Sequence, residues 1–246
     1  MEWREHDGLR WLEAELPGAL ASFTTRQGGL STGSYESLNL GVLTDDDTET
    51  VLRNRRLLDA ALGIDPGSVL IGRQVHGAEL LVHDRPQDPA PWLAPTPDPP
   101  EVDAHVTSIP GLAPLVFVAD CLPIALSGPE GVAMVHGGWR GLAAGIVGRA
   151  VEATGATAAA IGPGIGPCCF EVGEEVLAAF APLGPGVADG RMLDLVEVAR
   201  RLLERAGVAA IEAAGICTRC NQDLLFSHRG GGPATGRQAG IVRMGG

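Results

Sequence analysis

Apolar positions along this chain fall into short blocks separated by glycine- and proline-rich punctuation, and only a few stretches carry helical spacing. The block at 19–25, Ala-Leu-Ala-Ser-Phe-Thr-Thr, predicts a strand leading into the turn Arg26-Gln27-Gly28-Gly29. Residues 68–71 and 79–83 predict two short strands flanking His76. Residues 113–119, rich in Val, Leu and Phe, predict a buried strand; Pro123 breaks the run and 124–127 resumes it. A strand over 131–135 ends at His136, another is predicted over 157–161, and the last two lie near 208–216 and 238–243.

Helical signals are fewer. Asp45, Asp46 and Asp47 precede a helix predicted over 48–62, with Gly63 as its stop. Further helices are predicted over 142–154 and 173–180. Asp194 caps one that runs to Ala206, with Leu195, Val198, Leu202 and Leu203 on one side and Gly207 as its stop. Seven prolines between 86 and 100 exclude a helix or a central strand there and predict an exposed loop. Strands and helices interleaved without strict alternation predict an α+β fold: one domain over 1–246, with mixed β-sheets flanked by helices. No internal repeat is visible, and nothing in the pattern fixes an oligomeric state.

Composition narrows the function. Of the 246 residues, 45% are hydrophobic, enough for a sizeable core. No run of about 18 apolar residues exists, and the first residues lack a basic segment followed by an apolar one, so neither a membrane partner nor export is expected. Five cysteines, two of them adjacent, predict reduced thiols and a cytoplasmic address. A net charge of −12 argues against nucleic acid as a partner. All 18 basic residues are arginine, which excludes Schiff-base lysines and the lysine of nucleotide-binding phosphate loops. Any anionic substrate group falls to arginine, backbone N–H groups or a metal.

The candidate chemistry gathers at the ends of apolar runs. His76, Cys121 and His136 each sit there, and two imidazoles with one thiolate form a ligand set that suits zinc or copper. Three protein ligands leave one position open, as a catalytic metal requires. The alternative is a core cysteine with two hydrogen-bonded histidines, because neither interval is a short ligand spacing. Cys217-Thr218-Arg219-Cys220 and the adjacent Cys168-Cys169 raise a structural zinc site against idle reduced thiols. The missing second CxxC and the awkwardness of adjacent ligands favour idle thiols, dispensable for catalysis. His105 reads as a strand residue and His228 as a loop residue near a ligand. Gly162-Pro163-Gly164-Ile165-Gly166 fits no dinucleotide fingerprint.

These segments occur in an order that closely resembles a known family. Phe23 to Gly29, Gln74-Val75-His76-Gly77, Ala119-Asp120-Cys121, His136-Gly137-Gly138-Trp139-Arg140-Gly141, Ile161 to Gly173, and Phe226 to Arg229 with Thr235-Gly236-Arg237 resemble the YfiH-type family, once called polyphenol oxidase or laccase-domain proteins. The resemblance spans about residues 20–243. It implies a zinc-binding site of His76, Cys121 and His136, with copper as a further occupant. It also implies purine nucleoside phosphorolysis of adenosine, inosine and methylthioadenosine, together with adenosine deamination. The chain departs from the family at Gly164 and His228, where members often carry Cys and Tyr. With lysine absent, Arg26 and Arg140, both in glycine-rich turns, are the phosphate candidates. Rival expectations are a metal-free cysteine hydrolase using Cys121 and His136, and an editing hydrolase of peptidoglycan precursors. Six scattered histidines do not build a multicopper centre, so phenol oxidation is expected to be incidental.

Overall fold

A computed structural model of the chain describes residues 1–245. Two six-stranded sheets dominate it. The first runs in the order Glu2–His6, Leu9–Leu16, Ala19–Thr24, Gln238–Met244, Ala113–Val118, Val69–Leu70. The second runs Ala210–Ala213, Ala158–Ile161, Leu122–Gly128, Gly131–Gly137, Ala104–Thr107, Leu80–His83. Both are mixed: the outermost pair at one end of the first sheet and at both ends of the second is parallel, and the other pairs are antiparallel. The fold is α+β.

Strand alternation explains the layering. In Leu122–Gly128, Ala125 faces one way while Ile124 and Leu126 face the other; in Gly131–Gly137, Val132 and Met134 oppose Ala133 and Val135. The first set meets Phe23, Val116, Val118 and Val242 of the other sheet in one buried cluster, so the sheets pack face to face. The second set packs against Ile146–Thr154 and Leu195–Arg205. The outer face of the first sheet, with Leu115 and Ile241, is covered by Thr48–Leu62 through Leu58 and Leu62. Each fully buried Leu, Ile or Phe in these layers contributes about 1.5–3 kcal/mol.

The capping residues act as expected. Asp47 accepts from the Thr50 amide, Asp194 from the Glu197 amide, and Gly63 ends its helix at φ 61°. Glu174–Phe180 forms behind Gly173. Other expectations are corrected. The predicted helix over 142–154 is two pieces, Trp139–Ala143 and Ile146–Thr154, because Gly145 takes φ 88° between them. Pro123 lies inside a central strand rather than before it; at the second position of Leu122–Gly128 its missing N–H is tolerated, and its carbonyl accepts from Gly162. The proline-rich stretch lacks regular structure, as predicted, but is not wholly exposed. Trp92 is 1% exposed, and its indole N–H bonds the Asp59 carboxylate. The hairpin of Glu2–His6 with Leu9–Leu16 was not predicted, whereas the strand Ala104–Thr107 agrees with the reading of His105 as a strand residue. No helix among the described residues is long and apolar enough to cross a membrane.

Candidate metal centre and cavity

Two connections and one strand end meet where the sheets are joined. His76 lies on the segment between Val69–Leu70 and Leu80–His83, Cys121 on the crossover from Ala113–Val118 to Leu122–Gly128, and His136 near the end of Gly131–Gly137. The crossover leaves one sheet and enters the other, so Cys121 sits between them. The ligand atoms of His76, Cys121 and His136 all lie within 4.8 Å of one another. The two imidazoles meet edge to face, centroids 4.9 Å apart.

A carboxylate organises the two histidines. Asp103, fully buried, accepts from the amides of Val75 (3.1 Å), His76 (3.0 Å) and Gly77 (2.7 Å), and lies 2.7 Å from His136 Nδ1. The three amide bonds hold a turn in which His76 takes φ 60°, a conformation that costs about 1–2 kcal/mol on its own. The bond to Nδ1 leaves Nε2 of His136 for a metal, the carboxylate–histidine arrangement common at zinc sites. Gln74, next to this turn, is clamped to the Phe117 amide and carbonyl at 2.7 and 2.8 Å.

Asp120 does for Cys121 what Asp103 does for His76. Its backbone stands at φ 99°. Its side chain accepts from Thr218 Oγ1 (2.5 Å), Ser227 Oγ (2.7 Å) and the Arg229 amide (2.6 Å), and its carbonyl accepts from the Ile165 amide (2.8 Å). Burial by itself pushes the Cys121 thiol up, but His136 and, after it, His76 more than offset this and bring the pKa to about 6. Against its own burial, His136 is raised to about 9 by Cys121 and Asp103. The two opposed shifts favour charge on both groups when no metal is bound.

The donor set fits zinc, and the backbone leaves room for an ion. A Cβ on Gly138 would lie 3.1 Å from His76 Cδ2, 3.3 Å from Cys121 Sγ and 3.6 Å from His136 Cε1. Glycine therefore keeps open the space the three ligands share. His136 is buried while His76 is exposed, so the site is reached from the His76 side.

The three ligands line a cavity of about 530 Å³, with Phe117, Trp139 and Phe170 among its walls. Arg140 lines it too. Its guanidinium rests on Trp139, 4.4 Å from the ring centroid, and makes no ion pair or hydrogen bond among the described residues. Arg26 is not brought there. Its guanidinium donates to the carbonyls of Glu36 and Gln222 at 2.5 and 2.7 Å and stacks on Phe226, tying two loops together. His228 lines the cavity, but as the first residue of the short helix His228–Gly231, capped by Ser227, rather than on a loop. His105 is buried on its strand and bonded to His83 at 3.0 Å, away from the ligand set.

Two residues of the candidate site escaped sequence reasoning. Asp103 is one. Arg55 is the other: it is 1% exposed, lies against the rings of both Trp92 and Phe117, and lines the cavity with an Nη2 that has no hydrogen-bond partner among the described residues. Burial lowers its pKa to about 10. Its signal was present, since it falls in phase with Val51, Leu58 and Leu62 on the inward face of its helix.

Comparison with known proteins finds relatives over nearly the whole chain. Residues 20–245 match the family described as multi-copper polyphenol oxidoreductase laccase. A purine nucleoside phosphorylase of Streptomyces coelicolor is 41% identical, the match covering 92% of this chain and 95% of the relative. The purine nucleoside phosphorylase YfiH of Escherichia coli is 34% identical over 92% of this chain and 93% of its own. The crystal structure of YlmD from Geobacillus stearothermophilus superposes with a TM-score of 0.89 at 32% identity, covering 99% of this chain and 98% of that one.

Proposed function

Because this chain belongs to the YfiH-type, laccase-domain family, we propose that it is a purine nucleoside phosphorylase whose site holds one zinc through His76, Cys121 and His136. The substrates proposed are adenosine, inosine and methylthioadenosine, with deamination of adenosine as a second activity. The observation that carries the reading is the convergence of the three ligands on the wall of a cavity of about 530 Å³ that also carries an uncommitted arginine. That volume suits a nucleoside with phosphate.

Phosphorolysis joins a phosphate oxygen to the anomeric carbon of the ribose and breaks the glycosidic bond. The purine leaves with the electron pair and takes up a proton. Arg140 binds and orients the phosphate, and its planar fork matches the anion's oxygens. Phe117, Trp139 and Phe170 offer flat apolar faces for the purine and keep water from the reacting carbon. Asp103 fixes the ring of His136 and the turn bearing His76. Zinc, when bound, supplies Lewis acidity, which serves the attack of water at C6 in deamination.

A second reading has an observation of its own. The thiolate–imidazolium pair of Cys121 and His136 is the state a cysteine nucleophile needs. Alkylation of Cys121 with and without chelator separates the two, because a metal-bound thiolate is protected. The main test is a metal-defined assay of adenosine with and without phosphate, resolved by chromatography. Phosphate-dependent adenine with ribose-1-phosphate supports phosphorolysis, and inosine supports deamination. Failure to form either from any purine nucleoside in the zinc-loaded protein would overturn the reading.

A further inference from the structure

The fold gathers a second set of thiols. Cys168 and Cys169 lie on the turn after Gly166, Cys217 and Cys220 on the loop after Ala210–Ala213, and all four Sγ atoms lie within 4.8 Å of one another. Cys220 Sγ is 3.5 Å from both Cys168 Sγ and Cys169 Sγ. Those separations are far longer than a disulfide bond of about 2.05 Å. They approach the ~3.8 Å between sulphurs arranged tetrahedrally around an ion at about 2.3 Å.

The adjacent pair, which the sequence made an unfavourable chelator, converges because of its turn. The amides of Cys169 and Phe170 both donate to the Gly166 carbonyl at 3.0 Å, and this bend brings both side chains to one partner. Gly166 is required for the approach: a Cβ there would lie 3.1 Å from Cys217 Cβ and 3.4 Å from Cys168 Sγ. Its own amide donates to Cys217 Sγ at 3.3 Å. No basic side chain donates to any of the four sulphurs among the described residues. A dication supplies the positive charge that four neighbouring thiolates need.

We propose that Cys168, Cys169, Cys217 and Cys220 form a second metal site, a closed tetrathiolate for zinc or another divalent ion of similar size and softness. Binding displaces the thiol protons to solvent and leaves four sulphur–metal bonds with no open position, the signature of a structural rather than a catalytic ion. Cys168 and Cys220 are exposed, which gives the ion a way in. The site does not depend on the proposed reaction and stands or falls without it.

Its effect would reach the first centre. The two stapled loops are the ones that hold Asp120, through the Ile165 amide on its carbonyl and the Thr218 hydroxyl on its carboxylate. Asp120 precedes Cys121, so the second ion fixes the backbone that presents a ligand to the first.

The test uses the full chain, purified under reducing conditions. Zinc per chain falls from about two in the wild type to about one in the Cys217→Ser/Cys220→Ser variant. Cobalt(II) added to the Cys121→Ser variant, whose first centre is disabled, gives intense sulphur-to-cobalt charge transfer and tetrahedral visible bands. These vanish when Cys168→Ser and Cys169→Ser are added. If the multiple variants fail to fold, differential alkylation of the wild type gives the answer without them: zinc protects these four cysteines and chelation exposes them. Absence of the cobalt bands, four cysteines alkylated equally with and without zinc, or a disulfide among them in the reduced, metal-loaded protein would overturn the proposal.

Discussion

At the scale of single residues, Asp103 carries more of the metal centre than its position suggests, because one carboxylate orients two ligands. Asp103→Asn keeps the shape and removes the charge, so zinc affinity should fall by about 10–100-fold, read by competition with a chromophoric chelator. An unchanged affinity would mean that the turn, not the carboxylate, positions His76 and His136. The arginines separate more sharply. Arg140→Ala should depress phosphorolysis of adenosine about 100-fold or more while deamination changes little, since water needs no phosphate clamp. Arg26→Ala should leave the ratio of the two reactions alone and lower the melting temperature instead, since its guanidinium serves the carbonyls of Glu36 and Gln222. Equal loss of both reactions in Arg140→Ala would count against the phosphate assignment. His76, Cys121 and His136 were legible because their residue types are rare and each ends an apolar run. Asp103 was not: what distinguishes it is four donors, and the sequence shows none of those pairings. The cysteine cluster was hidden for the same reason, as its two halves meet only after the sheets are formed.

At the scale of elements, the helix Thr48–Leu62 shows how far pattern reaches. Its ends were readable from Asp47 and Gly63, whose roles are local. Its inward face was harder, for Asn54, Arg55 and Asp59 share it with Val51 and Leu58. Burial raises the Asp59 carboxyl to about 6 even though Trp92 donates to it. A carboxyl raised above its unfolded value of about 3.9 favours the folded state below that pH, and the benefit is lost as pH rises through about 6. Asp59→Asn keeps an acceptor for Trp92 and cannot ionise. The stability of the wild type relative to this variant should therefore fall by up to about 2 kcal/mol between pH 4 and 6 and stay level above 7, measured by urea unfolding. A difference independent of pH would show that Asp59 ionises freely. Turn chemistry explains the missed hairpin: Asp7 and Gly8, at φ 48° and 80°, form the two-residue connection that an Asp-Gly pair signals, and that signal went unused. The split helix at Gly145 is a real limit, since an isolated glycine in a helical run is as often tolerated as not.

At the scale of the whole molecule, α+β layering was readable from the alternation of apolar blocks, whereas strand order was not, because register depends on partners distant in the chain. The candidate metal centre belongs to this scale as well, since two of its residues lie on connections between the sheets and the third near a strand end. An ion bound to the folded state alone stabilises it by mass action, and at about 1,000-fold excess over its dissociation constant by about 4 kcal/mol. Chelation should thus lower the melting temperature by on the order of 10 °C, and Cys121→Ser should remove the share due to the first centre. A chelator-insensitive melting curve would mean the ligand set is preformed and bears no ion. The strand Gln238–Met244 lies between Ala19–Thr24 and Ala113–Val118, in the interior of the first sheet, although it is the last strand of the chain. Until this strand pairs, the first sheet is two fragments with open facing edges. The crossover that carries Cys121 hangs from one of those fragments. One pairing between segments far apart in the sequence therefore closes the sheet that presents this thiol, which makes the placement of Cys121 a product of long-range assembly rather than of its own neighbourhood.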